Sequence, residues 1–188
     1  AGRTELARAI FGIDPIDSGD IYLFSRKETI DSPSRAVKLG LAFLPDDRKA
    51  QGLCIILPFR ENVTHAALDK LYPNGVINLR REKSIAEGFI RQLDMAIPSI
   101  ERLVKFLSGG TQQKTVVAKW LCTQAKVFIF DEPTRGIDVG AKMEIWKLMD
   151  ELTKQGAAIL MISSDLPEII GMSDRIYVMR EGRICKEF

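Results

Sequence analysis

Apolar residues in this chain follow two rhythms, and the change from one to the other marks out its elements. Short unbroken runs recur at Leu41–Leu44, Val127–Phe130 and Ala157–Ile162. Runs this short, apolar at every position, predict strands of a parallel sheet buried on both faces. Between them the spacing becomes three and four. Val116, Val117, Trp120 and Leu121 share one helical face, as do Ile145, Leu148, Met149 and Leu152 within Val139–Gln155. These predict amphipathic helices, the second stopped by Gly156. Near the start, Leu6 and Ile10 mark the inner face of another helix. Asp20–Phe24 reads as a short strand after the Ser18-Gly19 turn. Ser32 caps a short helix with Pro33 at its first position, and Gly40 ends it. Ser163, Ser164 and Asp165 read as the cap of a helix that has Pro167 in its first turn. Residues 175–180 and 183–188 predict a hairpin around Glu181-Gly182.

From Gln51 to Gly110 the strand signals vanish. Glu61–Leu71 and Leu79–Leu93 both show helical spacing, with Ile85, Phe89 and Leu93 repeating every fourth residue. Asn74-Gly75 marks a turn between them, and Pro98 breaks the pattern again. The expected architecture is an α/β core from residues 1–50 and 111–188, with a helical subdomain at 51–110 inserted into it.

Composition narrows the function classes. A length of 188 residues with 46% hydrophobic content suits one domain with a small subdomain. A net charge of +2 gives no strong field to hold nucleic acid or an acidic membrane. Clusters such as Arg80, Arg81 and Lys83 read as solvated faces. The three cysteines, Cys54, Cys122 and Cys185, are far apart and lack metal-ligand spacing, so they read as reduced cytosolic thiols. His65, the only histidine, lies on an amphipathic helix and reads as structural. No apolar run approaches the length of a membrane span, and no signal peptide opens the sequence.

Two stretches carry chemistry. LSGGTQQK, from Leu107 to Lys114, places two glycines after a serine at the start of an amphipathic helix. A helix N-terminus offers unpaired N–H groups and the positive end of a dipole, which suits a phosphate. Without a Cβ, Gly109 and Gly110 would let the backbone approach that anion closely. VFIFDE, from Val127 to Glu132, ends a buried strand in two acids. Ligands of open α/β sheets sit at the carboxyl ends of the strands. One carboxylate can hold Mg²⁺ there, directly or through water, and its neighbour, on the other side of the pleat, can orient an attacking water.

LSGGTQQK resembles the signature motif of ABC ATPases, VFIFDE their Walker B strand, and PTRGID the segment that enters their D-loop. The wording DEPTRGIDVGAK and ISSDLPEI is similar to the second nucleotide-binding domain of the fused ATPases that power bacterial importers of ribose, galactose and arabinose type. The resemblance covers essentially the whole chain. It implies a P-loop NTPase fold, ATP and Mg²⁺ as cofactors, and ATP hydrolysis coupled to sugar uptake. The implied partners are the first nucleotide-binding domain of the same polypeptide, transmembrane permease subunits touched by the helical subdomain, and, indirectly, a periplasmic or extracellular sugar-binding protein. The implied location is peripheral, on the cytoplasmic side of the inner membrane.

The resemblance also assigns residues. Ala1, Gly2, Arg3 and Thr4 take the last four places of the phosphate-binding loop, whose strand and first glycine would precede this stretch. Gly2 and Arg3 would contact the phosphates, and Thr4 would join Asp131 on the metal. Asp46 stands where a glutamine usually reaches Mg²⁺ and water, and Ser164 where a histidine usually touches the γ-phosphate. Glu132, Ser164 and Asp46 are therefore the catalytic candidates. Arg3 replaces a lysine, and a planar guanidinium is no substitute for a compact ammonium. These three departures predict that the site built on this chain's own loop is slow or silent. Ser108, Gly109, Gly110, Thr111 and Gln112 keep the signature and, with Asp138 at the entry to the D-loop, are the further nucleotide-binding candidates. In ABC ATPases the signature of one domain covers the γ-phosphate held by the other, so this half is expected to complete its partner's site. Two readings compete with transport: an ABC-type ATPase acting on nucleic acid or ribosomes, and a nucleotide-binding regulatory module without turnover.

Overall fold

The structure is a computed structural model, and it describes residues 2–188. Three parallel strands form the central sheet in the order β3 (Leu41–Leu44), β4 (Val127–Asp131), β5 (Ala158–Ile162). The register pairs Leu44 with Phe130 and Asp131 with Ile162. The carboxyl ends of all three strands therefore lie at one edge, where Asp46, Asp131, Glu132 and Ser164 follow them. Phe128, Ile129 and Phe130 are fully buried, as the unbroken apolar run required.

The third run behaves differently. Among the described residues β5 pairs only with β4, and Leu160 remains 38% exposed with Ala158 also outward. An edge strand has one bare flank, so apolar content alone does not bury it. A similar correction applies to α1 (Arg3–Ile10). Ala7 and the following Phe11 are buried and Ile10 packs against the core, whereas Leu6 is 43% exposed. Phe11 meets Phe43 tilted and Trp120 edge-on, and so anchors α1 to both the sheet and the signature helix.

Helix α2 (Pro33–Lys38) is capped by Ser32, which accepts the Arg35 N–H. The strand expected at Asp20–Phe24 is β1 (Ile21–Leu23), and it is one arm of a hairpin with β2 (Arg26–Glu28). β2 escapes sequence reading because its three residues are all charged and carry no alternation. The single helix expected at Glu61–Leu71 is divided into α3 (Phe59–Thr64), a 3₁₀ turn at His65–Ala67, and α4 (Leu68–Leu71). Thr64 is fully buried, and its hydroxyl donates to Glu82 as well as bonding the preceding turn of α3, which satisfies it where the helix changes pitch. Helix α5 (Leu79–Gln92) turns Glu82 inward onto Arg60 and Thr64. Between residues 53 and 106 the only β pairing among the described residues is a bridge between Pro58 and Leu103.

Helix α6 (Gly109–Cys122) buries Val116, Val117 and Trp120 on the sheet, with Leu121 packed at the margin. Helix α7 (Val139–Lys154) buries the expected stripe of Ile145, Leu148, Met149 and Leu152. Helix α8 (Leu166–Met172) has Pro167 in its first turn. The terminal hairpin of β6 (Tyr177–Arg180) and β7 (Arg183–Glu187) turns through Glu181 and Gly182, both at positive φ, the conformation that two-residue hairpin turns favour. Among the described residues, no helix is long and apolar enough to cross a membrane.

Candidate functional site

The sequence-nominated residues gather into two groups. The first surrounds the carboxyl ends of β4 and β5. Gly2 precedes α1 at φ 94°, and a Cβ there would meet the Gly182 backbone at 3.0 Å. Only glycine satisfies both constraints. The Arg3 guanidinium then reaches across the strand ends. It donates to the Ser163 carbonyl at 2.6 Å and lies 3.7 Å from Glu132.

Glu132 is itself unusual. It adopts φ 49°, a conformation a non-glycine residue takes only under constraint, while its N–H continues the strand ladder onto the Ile162 carbonyl at 2.8 Å. Its carboxylate accepts the Ser164 N–H at 3.1 Å and the Ser164 hydroxyl at 3.0 Å. The acid nominated to orient water is thus held by a serine and faced by an arginine.

Asp131 is the opposite case. It is buried, and among the described residues neither carboxylate oxygen has a hydrogen-bond partner. Burial pushes its carboxyl above the usual range; the nearby Thr4 hydroxyl acts in the other direction, without a bond of normal geometry. An orphaned buried carboxylate beside a hydroxyl is a fitting place for a hard cation. Among the described residues there is no cluster of three or more acids, cysteines or histidines that could hold a metal by themselves. That suits Mg²⁺, which takes one or two protein oxygens and fills its remaining positions with water and phosphate. Asp46 lies close enough to push the Asp131 carboxyl further up, but its own carboxylate pairs with Arg135 at 3.0 Å.

The second group is the start of α6. The Ser108 hydroxyl oxygen accepts the Thr111 N–H at 3.2 Å and lies 2.9 Å from the Thr111 hydroxyl. Gln112 N–H bonds the Ser108 carbonyl, which leaves the Gly109 and Gly110 amides at the exposed end of the helix. Gln112 points inward: it is 3% exposed, and its amide donates to the Val104 and Leu107 carbonyls. Its side chain ties the first turn of α6 to the 3₁₀ turn before it. Asp138 caps α7 by accepting the Ala141 N–H at 2.9 Å. The glycines also serve packing within the chain. A Cβ on Gly110 would come within 3.2 Å of Ala141, and one on Gly109 within 3.0 Å of the Arg48 guanidinium.

No hydrogen bond or ion pair among the described residues joins the two groups directly. Arg48 and Arg135 stand between them, and sequence reading missed both, since they sit in turns without periodicity. Reading also missed Glu168. It is buried and accepts the Trp146 N–H and the Ser163 hydroxyl, each at 2.6 Å. The expected capping of α8 is altered accordingly. Asp165 makes no side-chain cap; it pairs with Lys142 at 2.9 Å, while the Ser163 hydroxyl oxygen takes the Asp165 N–H.

A family model described as "ABC transporter" matches residues 1–135. The chain is similar to the ribose import ATP-binding protein RbsA of Bacillus subtilis, with 50% identity over 187 residues, and to ribose import ATP-binding protein RbsA 3 of Rubrobacter xylanophilus, with 53% over 185. It is also 49% identical over 185 residues to a putative ribose/galactose/methyl galactoside import ATP-binding protein of Agrobacterium fabrum. These alignments cover 98–100% of this chain but only 37–38% of the relatives' length. The fold is similar to a dimeric ATP-binding cassette in a post-hydrolysis state bound to ADP and Pi, at TM-score 0.81, 19% identity, and coverage of 100% of this chain and 80% of that one. A nucleotide-free cassette from an ABC transporter superposes at TM-score 0.80 and 22% identity, covering 99% of this chain and 75% of that one. The three-stranded parallel core, the Ser108-capped helix and the acids ending β4 thus occur together in a sequence that the family model matches over most of its length, and the chain belongs to the ABC transporter family.

Proposed function

We propose that this chain is a nucleotide-binding domain of an ABC importer that couples ATP binding and hydrolysis to uptake of a sugar, and that it supplies the signature motif to a nucleotide held by a companion domain. Ribose import by its relatives supports the sugar class. Their greater length supports a companion nucleotide-binding domain in the same polypeptide. Permease subunits and a sugar-binding protein complete the assembly, which places this domain at the cytoplasmic face of the membrane. Residues 51–110 form the helical subdomain facing the permease, where Ile56, Val76, Leu79 and Phe106 leave apolar surface exposed.

The observation that carries the division of labour is the contrast between the two groups. Gly109 and Gly110 open α6, where the first N–H groups of a helix have no intrahelical partner and suit phosphate oxygens. The chain's own acid, Glu132, is engaged by Ser164 and faced by Arg3. Thr4 and Asp131 would hold Mg²⁺ with a nucleotide at the chain's own loop, where the ion neutralises phosphate charge. Gly2 and Arg3 would contact that nucleotide. Asp46 and Ser164 would orient the loop around it without carrying its chemistry. Binding at this loop without rapid turnover is the role assigned to it.

The test is Ser108→Arg in the full-length protein. A guanidinium on the signature turn blocks the approach of phosphate, and turnover should fall by about 100-fold or more, the scale of losing an oriented charge-stabilising donor. Unchanged hydrolysis would defeat the trans assignment.

A further inference from the structure

We propose that Arg48 is a positioning residue for the signature turn and that it ties this turn to Asp46 at the chain's own nucleotide site. The inference rests on the trans reading above for its effect on hydrolysis. Its structural part stands without it. Arg48 opens a π-helical turn, Arg48–Gly52, that is pinned on both sides. Asp47 accepts the N–H groups of Lys49 and Ala50, and Lys119 of α6 donates to the Gly52 carbonyl at 2.7 Å. Gly52 approaches so closely that an added Cβ would lie 3.2 Å from Val116 and 3.5 Å from the Arg48 Cβ. The turn therefore rides on the inner face of the signature helix.

From that base the Arg48 side chain runs toward the helix start. One guanidinium nitrogen donates to the Arg135 carbonyl at 3.4 Å, and the other occupies the space a Gly109 Cβ would need. Arg135 returns the contact by pairing with Asp46, two residues before Arg48. The loop after β3, the loop after β4 and the signature turn are thus interlocked by two arginines. Stability does not explain this placement. A cation beside a helix N-terminus opposes the dipole, no acid in the first turn of α6 compensates, and the Arg48 Nε is buried without a partner. The placement makes sense if the guanidinium is a spacer that sets where the two glycine amides point. On this view Gly109 lacks a side chain because Arg48 occupies the volume, in addition to any approach of phosphate.

The test is a double-substitution cycle in the full-length protein with Gly109→Ala and Arg48→Met, the latter keeping an unbranched apolar stem on Gly52. Amide hydrogen exchange across residues 107–112 is read without nucleotide, and kcat and KM for ATP are read separately. Arg48→Met should speed exchange of that segment by about tenfold, the mark of a locally loosened turn. It should also lower kcat by about tenfold with KM changed less than about twofold, because ångström displacements act on rate. Gly109→Ala should speed exchange of that segment in the wild-type background and add nothing to its exchange in the Arg48→Met background. Additive losses, or exchange unaffected by Arg48→Met, would overturn the proposal. Arg48→Lys, which keeps charge but not the planar fork, should fall between wild type and Arg48→Met. Should Ser108→Arg leave turnover intact, the trans reading fails while the exchange cycle still judges the packing of Arg48 against Gly109.

Discussion

Ser164 donates two hydrogen bonds, one from its backbone and one from its hydroxyl, to a single oxygen of Glu132. This pair occupies the acid that would otherwise be free to polarise water at the end of β4. Ser164→Ala removes the hydroxyl and leaves the backbone donor. If this site turns over slowly, as proposed, hydrolysis by the full-length protein should change by less than about twofold, a difference small against the ~10²–10⁴-fold of a working general base. Steady-state ATP turnover checks this, and a collapse would show that the chain's own site hydrolyses ATP.

The unpartnered Asp131 carboxylate predicts opposite effects with and without metal. In EDTA, Asp131→Asn should stabilise the fold by about 1 kcal/mol or more, since a buried charge without partners is replaced by a neutral amide. With Mg²⁺ and ATP present, the same variant should lose most of the stabilisation that the wild type gains from nucleotide. Thermal unfolding under the two conditions reads both signs.

Glu168 links α8, α7 and the end of β5 through Trp146 and Ser163. Glu168→Leu leaves an indole N–H and a buried hydroxyl without acceptors, at a cost of about 2–4 kcal/mol. Denaturant unfolding gives the loss, and the emission of Trp146 should shift as its hydrogen bond disappears.

Lys119 offers a pH signature. Burial against α6 and the π-helical turn lowers its ammonium from 10.5 to about 8, with Cys54 opposing the shift. The unfolded chain therefore holds this proton between pH 8 and 10.5 when the folded chain has released it. Stability from this group should rise with pH through that window, by at most about 3 kcal/mol, with the cost fully present below it. Lys119→Met should remove the rise in stability that denaturant unfolding reads between pH 8 and 9; above pH 9 the buried Cys122 thiol, raised from 9.0 to about 11, acts in the opposite direction.

Much of the site was legible because its chemistry is local in sequence. The Ser108-Gly109-Gly110 run stands at the start of α6, as the amphipathic spacing after it predicted, and β4 delivers Asp131 and Glu132 to the strand ends. Helix spacing placed the buried stripe of α7 correctly, since amphipathic periodicity records which face meets the core. The same reasoning failed for Leu6 and Leu160. Their exposure depends on which neighbours arrive, and apolar character cannot report that. Gln112, inside the signature wording, turned inward for a related reason: its amide meets carbonyls of a preceding turn whose path the motif does not encode.

By itself the sequence determined the parallel strands, the two amphipathic helices that flank β4, the chemical identity of both candidate groups and the family. Tertiary structure alone decided how those groups are held. The Arg3, Ser163, Ser164 and Glu132 contacts, the crossed pairing of Arg48 and Arg135, and the tight fit of Gly109 and Gly110 against Arg48 and Ala141 join residues from separate turns. Periodicity describes one element at a time, whereas these contacts arise only when several elements pack around the same strand ends.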